Sequence, residues 1–326
     1  MVSNEEAPVV TTPYRINARF LSDSSWLAPT AIFWFGHLSL SDNYIDARVG
    51  YTSNELIVRM TVFDRLLFYD PSPSTADLTN YDSAVLYLRT GGGGGGAPDS
   101  TSYKFVAQQI PFNLDMTPYK AAYQGSGSGW QPANVSFSVD PMYRGGGFNN
   151  YQYNQGWSLT FKIPYSSLGL GGQPANGTAW GIAAEVFDRD DPTAAIRVMN
   201  WPPEMSGDVP GQWAQLGYGL PQYQAPAYTN AKSINIRRGL NADNVPDASV
   251  GGSSVCGLGV DNYFADWGNK PESFYAGSTV DNTQFNIQNQ TDVDDFPCFS
   301  KYYVTFPLGA LPAGKVIVSA KLVLNL

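Results

Sequence analysis

Apolar and polar residues alternate with a period of two through much of the first two hundred positions, as in strands with one face in a core. The alternation predicts strands at Arg15–Phe20, Tyr44–Tyr51, 55–63 and Ser83–Arg89, and further strands at 103–110, 135–139 and 157–163. Ala31–Gly36 is a continuous apolar run ended by glycine, and its Trp34 is expected in the core, as is Trp180. Thr52, Ser53 and Asn54 form a tight turn that makes 44–63 a β-hairpin. The tetrapeptide Val-Phe-Asp-Arg closes two of the apolar runs, at 62–65 and again at 186–189, and each copy leads into an acidic, turn-prone loop. Two strands that end alike predict two equivalent corners of one β-sandwich, with carboxylates at its edge. Helical periodicity bounded by caps is absent from every stretch of about a dozen residues or more, so the chain reads as all-β.

Between the strands lie Gly/Ser/Asn/Tyr-rich segments, including 125–130 and 145–153. Gly91–Gly96 is a run of glycines with no Lys-Ser/Thr and no helix after it, so it is expected to be a flexible hairpin loop and not a phosphate cradle. Prolines and tyrosines at 221–230 mark a linker. A second alternating region spans 231–326 and stops inside the apolar run 316–326.

Composition narrows the chemistry. Of 326 residues 43% are apolar and 14% charged, against roughly 25% charged in an ordinary domain. With 33 Gly, 23 Pro, 20 Tyr and 8 Trp, this favours β structure with long loops. The net charge of −9 with scattered Lys and Arg argues against nucleic acid and anionic membranes as partners. No apolar run is long enough to predict membrane insertion. The single histidine, His37, removes two-histidine metal sites and most triad chemistry. Low charge, a cysteine pair and the Asn176-Gly-Thr and Asn289-Gln-Thr glycosylation sequons fit an exported protein, with an extracellular or cell-surface location expected. Cys256 and Cys298 are expected to form a disulfide worth about 3–4 kcal/mol in the chain-entropy model; two buried thiols are the alternative.

Two sets of residues carry candidate chemistry. Asp64, Asp70, Asp188, Asp190 and Asp191 cluster in sequence around the two corners and are candidate Ca²⁺ ligands, since calcium takes six to eight oxygens. The competing expectation is structural: Asp64 and Asp188 cap turns or pair with Arg65 and Arg189. Asp292 to Asp295 form a second acidic group of the same kind. Trp130, Tyr143, Tyr151, Tyr153, Trp201 and Trp213 are loop aromatics on whose faces sugar C–H groups stack; the competing expectation is that Trp201 and Trp213 seal the sandwich ends. Glycoside hydrolysis needs paired carboxylates. Glu185 and Glu204 have no evident partner in the sequence, so no catalytic residues are assigned.

The 32–36, 43–51, 56–58 and 62–65 motifs, continued by 81–88, 157–169 and 181–190, resemble the family 9 carbohydrate-binding modules and the related DOMON-like sandwiches over about residues 15–220. Residues 301–324, with the turn Leu311-Pro-Ala-Gly314, are similar to the disaggregatase-related (DNRLRE-type) β-sandwich, shortened here to about 231–326. The resemblance implies binding without catalysis: family 9 modules hold sugars between aromatic rings, and some bind calcium structurally. The expected organisation is an extended arm at 1–14, a jelly-roll-like sandwich at 15–220, a linker at 221–230 and an incomplete second sandwich at 231–326. The expected function is extracellular binding of a polysaccharide, glycan or surface polymer. The alternative is a structural subunit of a surface filament or layer, in which identical subunits share strands through the N-terminal arm and the 316–326 strand.

Overall fold

The structure, a computed structural model, describes residues 14–22, 31–36, 43–219, 232–237, 240, 245, 247–251, 300–304, 306–312 and 319–323. The alternating first region folds into two stacked β-sheets. One contains β1 (Arg15–Phe20), β5 (Ser83–Arg89), β6 (Ser102–Gln108), β7 (Lys120–Gly125), β8 (Trp130–Pro132), β11 (Ala179–Asp188), β12 (Arg197–Trp201) and β13 (Ala214–Tyr218). Its order is β8-β7-β6-β5-β11-β13-β1, with β12 pairing the second half of β11. The other contains β2 (Ala31–Gly36), β3 (Tyr44–Tyr51), β4 (Glu55–Phe63), β9 (Ser138–Gly145) and β10 (Asn154–Pro164), in the order β3-β4-β10-β9 with β2 on β3. Strand β1 joins the sheets: Arg15–Ala18 pair with β13, and Arg19 and Phe20 pair with β3. The all-β expectation holds, and the hairpin at 44–63 forms in register from Tyr44↔Phe63 to Tyr51↔Leu56.

The core lies between the sheets and is filled by the inward set of each strand, such as Val58, Met60 and Val62 on β4 and Ile182, Ala184 and Val186 on β11. Trp180 is in this core. Trp34 is not: within the apolar run of β2, Phe33 and Phe35 point inward and Trp34, between them, is 48% exposed, because successive side chains of a strand alternate in face. β9 starts later than expected and carries Pro141; it is the edge strand of its sheet, where a missing N–H costs no ladder bond.

The outer face of the first sheet also buries apolar residues. Val85, Tyr87, Val106 and Ala183 form a second cluster with Leu78, Met205 and Trp213 from covering loops. In the second region β14 (Asp247–Gly251) pairs antiparallel with β15 (Ser300–Val304). Residues 319–323, the described part of the expected 316–326 strand, belong to no sheet and are exposed. The 221–230 linker, Cys256, Cys298, the Asp292–Asp295 group and residues 1–13 of the arm lie outside the described residues. Among the described residues no helix is long and apolar enough to cross a membrane.

The two Val-Phe-Asp-Arg corners meet at one end of this sandwich. Asp64 follows β4, Asp188 ends β11, and both are buried. Asp64 Oδ2 accepts from the Trp157 indole Nε1–H on β10 at 2.8 Å, and Oδ1 accepts from the Leu66 amide at 3.1 Å. Replacing Trp157 by Phe strips one bond from a fully buried carboxylate, a loss of about 1–3 kcal/mol, and adds the cost of the volume the smaller ring leaves empty. Urea unfolding should show a lower midpoint for Trp157→Phe; an unchanged midpoint would mean that this bond contributes nothing.

Candidate functional site

The carboxylate end is built from four aspartates. Ligand oxygens of Asp64, Asp188 and Asp190 lie within 4.8 Å of one another. Behind them, Asp82 at the start of β5 accepts from the Phe68 amide at 2.7 Å and the Arg189 amide at 2.8 Å, tying the two corner loops together. Arg197, the first residue of β12, donates Nε–H to Asp188 Oδ2 at 2.8 Å and bridges Asp188 and Asp190 through Nη2. Burial, then neighbouring carboxylates, hold Asp64 and Asp82 well above the usual carboxylate range. Burial and Asp190 push Asp188 up to about 6, against the lowering effect of Arg197. The Arg197 guanidinium thus pairs with two of the four carboxylates, and Asp188 Oδ1, on a residue 1% exposed, accepts no hydrogen bond of normal geometry although the Asn43 amide lies beside it.

Two of the five candidate calcium ligands are placed elsewhere, which corrects the expected set. Asp70 Oδ1 caps the Ser72 amide at 2.9 Å. Asp191 Oδ1 accepts from the Thr193 amide and hydroxyl, and its Oδ2 accepts from the Tyr151 hydroxyl at 2.9 Å. Both short acidic side chains lock their own turns. The expected arginine partners are also replaced. Arg65 lies over the Tyr153 ring at 3.9 Å. The Arg189 guanidinium binds the carbonyls of Asn80, Asp191, Pro192 and Ala194. Arg197, nine residues beyond its aspartate, is the partner that local spacing did not suggest.

The candidate sugar-binding aromatics divide into three places. Trp201 is a correction: its ring is 5% exposed and stacks on Phe33 at 3.9 Å inside the core, so it has no face for a ligand. Tyr143, Tyr151 and Tyr153 gather at the carboxylate end. Tyr143 packs edge-on against Phe148 at 4.7 Å, and Tyr151 is 65% exposed.

Trp130 and Trp213 meet over the outer face of the first sheet. Their planes differ by 3° with centroids 6.3 Å apart, and Tyr87 lies 5.8 Å from one and 5.4 Å from the other. Trp213 is 5% exposed and backs the half-buried Trp130. The Trp130 Nε1–H donates to Asp208 Oδ1 at 2.9 Å, and the Trp213 Nε1–H donates to the Ser206 carbonyl at 3.1 Å. Both indoles are therefore fixed by the 202–213 loop. That loop can lie on the sheet because residue 207 is glycine: a Cβ there would sit 2.3 Å from the Tyr87 hydroxyl.

Polar side chains complete this face, and the sequence reading missed most of them. Tyr87 donates to Glu185 Oε2 at 2.7 Å, which supplies the partner that Glu185 lacked in the sequence. Lys104 Nζ lies 5.8 Å and 5.6 Å from the Tyr87 and Tyr123 ring centres. The signal was the outward alternation: Lys104 is directly opposite both Tyr87 and Tyr123 in the ladders. Burial raises the Glu185 acid, opposed by its Tyr87 hydrogen bond and by Lys104. The arrangement offers a flat indole flanked by two carboxylates, an ammonium and a phenol.

No known protein-family model matches the chain, and no curated protein matches it. Among solved structures it is similar to a family 9 carbohydrate-binding module from Caldicellulosiruptor kristjanssonii in complex with cellotriose, at 15% identity and a TM-score of 0.44, over 67% of this chain and 100% of that one. The same comparison with a family 9 module from that organism in complex with glucose gives 14% identity and a TM-score of 0.44, over 65% and 100%.

The raised Glu185 acid has a consequence for stability. A carboxyl whose folded pKa lies above its unfolded value binds more protons in the folded state, so stability falls as pH rises from the unfolded pKa through the folded one. Glu185→Gln removes this dependence. The variant's stability relative to wild type should improve as pH rises from about 4.3 toward neutrality, as read by thermal melts across pH. A constant difference between the two proteins over that window would contradict the assigned burial.

Proposed function

We propose that this chain is a non-catalytic carbohydrate-binding protein and that its ligand lies on the Trp130 face. The observation that carries the reading is an indole held flat, backed by the parallel Trp213 and anchored at its edge by Asp208. A sugar ring presents C–H groups on one face and hydroxyls around its rim. It pairs with an aromatic plane surrounded by fixed polar groups, the general form of a small-molecule site. Here Trp130 supplies the plane, while Glu185, Asp208, Lys104 and Tyr87 supply acceptors and donors for hydroxyls. The resemblance of residues 15–220 to family 9 modules supports the same reading. Low charge and the sequons support an extracellular setting.

Affinity electrophoresis through xylan, glucomannan and hydroxyethylcellulose, followed by calorimetry with the matching oligosaccharides, tests this. Retardation by at least one polymer is expected. Trp130→Ala should weaken binding by about tenfold or more, equivalent to about 1.4 kcal/mol, with little change in melting temperature. Trp201→Ala should instead cost about 3–5 kcal/mol of stability, as for a core aromatic. Retardation that survives Trp130→Ala would place the ligand elsewhere, and migration unaffected by neutral and charged glycans alike would sink the reading.

We further propose that a calcium ion is held by Asp64, Asp188 and Asp190. This rests on Asp188 Oδ1, which accepts no hydrogen bond of normal geometry, and on three clustered carboxylates facing the single Arg197 charge. The donor set is all hard oxygen, as calcium requires. The ion would neutralise the cluster and fix the corner loops. At calcium a hundredfold above its Kd the fold should gain about 2.7 kcal/mol, seen as a rise in melting temperature that EDTA reverses and Asp188→Asn abolishes. Unchanged melting at millimolar calcium, with no heat of binding, would leave Arg197 as the sole counter-charge.

A further inference from the structure

The glycine run Gly91–Gly96, between β5 and β6, is not a free loop in the structure. The Arg89 guanidinium, at the end of β5, sits inside it. Nη1 donates to the Gly92 carbonyl at 3.1 Å and the Gly94 carbonyl at 2.7 Å. Nη2 donates to Asp99 Oδ2 at 2.6 Å, and that hydrogen bond holds the Asp99 acid well below the usual range. Winding a chain this tightly around one cation requires left-handed backbone, with φ of +89° at Gly92, +101° at Gly94 and +104° at Gly95, a conformation that glycine adopts without steric cost.

The wound loop faces the ligand-side loop. The Gly95 carbonyl accepts from the Gly211 amide at 2.8 Å, and a Cβ on Gly211 would come within 3.0 Å of that oxygen. Gly211 lies in the 3-10 turn Pro210–Gln212, whose Pro210 carbonyl accepts from the Trp213 amide at 3.2 Å and whose Gln212 Oε1 accepts from the Ser206 amide at 2.8 Å. On the sheet beneath, Gly181 brings the Arg89 stem and the Trp213 ring to either side of one missing Cβ, 3.3 Å and 3.5 Å from its position.

We propose that Arg89 is a positioning residue for the saccharide site: by folding Gly91–Gly96 into a brace, it holds the Pro210–Gln212 turn, and through it Trp213 and Asp208, in register with Trp130. The inference rests on the Trp130 face being the ligand site. An arginine is suited to the task because its rigid planar fork meets two carbonyls from one nitrogen and a carboxylate from another in a fixed geometry, which the compact, rotatable ammonium of lysine does not reproduce.

The test compares wild type, Arg89→Ala and Arg89→Lys by hydrogen exchange at the Gly211 amide, by affinity for the oligosaccharide that binds wild type best, and by melting temperature. Exchange at Gly211 should quicken by about tenfold in Arg89→Ala, with a loss of affinity of about tenfold and the global melt nearly unchanged. Arg89→Lys should fall between. Unchanged Gly211 exchange overturns the proposal. So does affinity that stays at the wild-type level while exchange quickens, or that falls only in step with global unfolding. A wild type without saccharide affinity, whose Gly211 exchange still responds, overturns the saccharide reading itself, because exchange in the free protein reports on the brace alone.

Discussion

The end of the sandwich where Asp64, Asp82, Asp188 and Asp190 converge constrains the rest of the fold. Burying carboxylates costs several kcal/mol each unless hydrogen bonds and opposite charge compensate. The compensating groups come from every part of the chain that must meet there: the Trp157 indole from β10, the Phe68 and Arg189 amides from the two corner loops, and the Arg197 guanidinium from β12. None of these elements can slip relative to the others without leaving a buried carboxylate short of a partner. Removing one partner is therefore more damaging than the modest net worth of a single hydrogen bond suggests.

From that anchored end the geometry of the Trp130 face follows. Arg197 pins the start of β12; Trp201 at its other end is locked in the core against Phe33. The chain then leaves the sheet as the 202–213 loop and folds back over the outer face of the first sheet, where Gly207 allows it to rest on Tyr87. Its Asp208 and Trp213 orient Trp130, and the Arg89-wound glycine loop braces it from the far side. A rigid scaffold carrying a loop-borne recognition surface is a common division of labour. In this chain the loop is held at both ends and in the middle.

Much of this was legible in the sequence. Period-two alternation located the main strands of the sandwich, and the repeated Val-Phe-Asp-Arg placed its two corners, because a buried strand end followed by a turn leaves few residue choices. The single histidine, and the lack of an evident partner for Glu185 in the sequence, turned the expectation toward binding, although the fold brings Tyr87 and Asp208 to Glu185. The failures have physical causes. Asp70 and Asp191 look like ligands in sequence, but each spends its Oδ1 on its own turn, and Asp191 gives its Oδ2 to Tyr151, which spacing alone cannot distinguish. Arg197, Tyr87 and Lys104 act across strands, and strand pairing is not written in local sequence. Trp34 sits in an apolar run that hides its outward position, while Trp201 sits beside prolines that suggested a surface loop. Gly91–Gly96 has the composition of a flexible linker; only the position of Arg89 beside it, and Gly211 opposite, turns it into a brace.

The proposed function turns on saccharide binding against the Trp130 indole. The most direct measurement is the indole N–H region of a ¹⁵N spectrum during titration with the best-binding oligosaccharide, with Trp130 identified through Trp130→Phe. Trp130 Nε1–H, bonded to Asp208, should shift most, Trp213 less, and Trp157, bonded to buried Asp64 on the other sheet, not at all. Saturable binding that leaves the Trp130 signal in place, or moves only the indoles distant from it, would contradict the account.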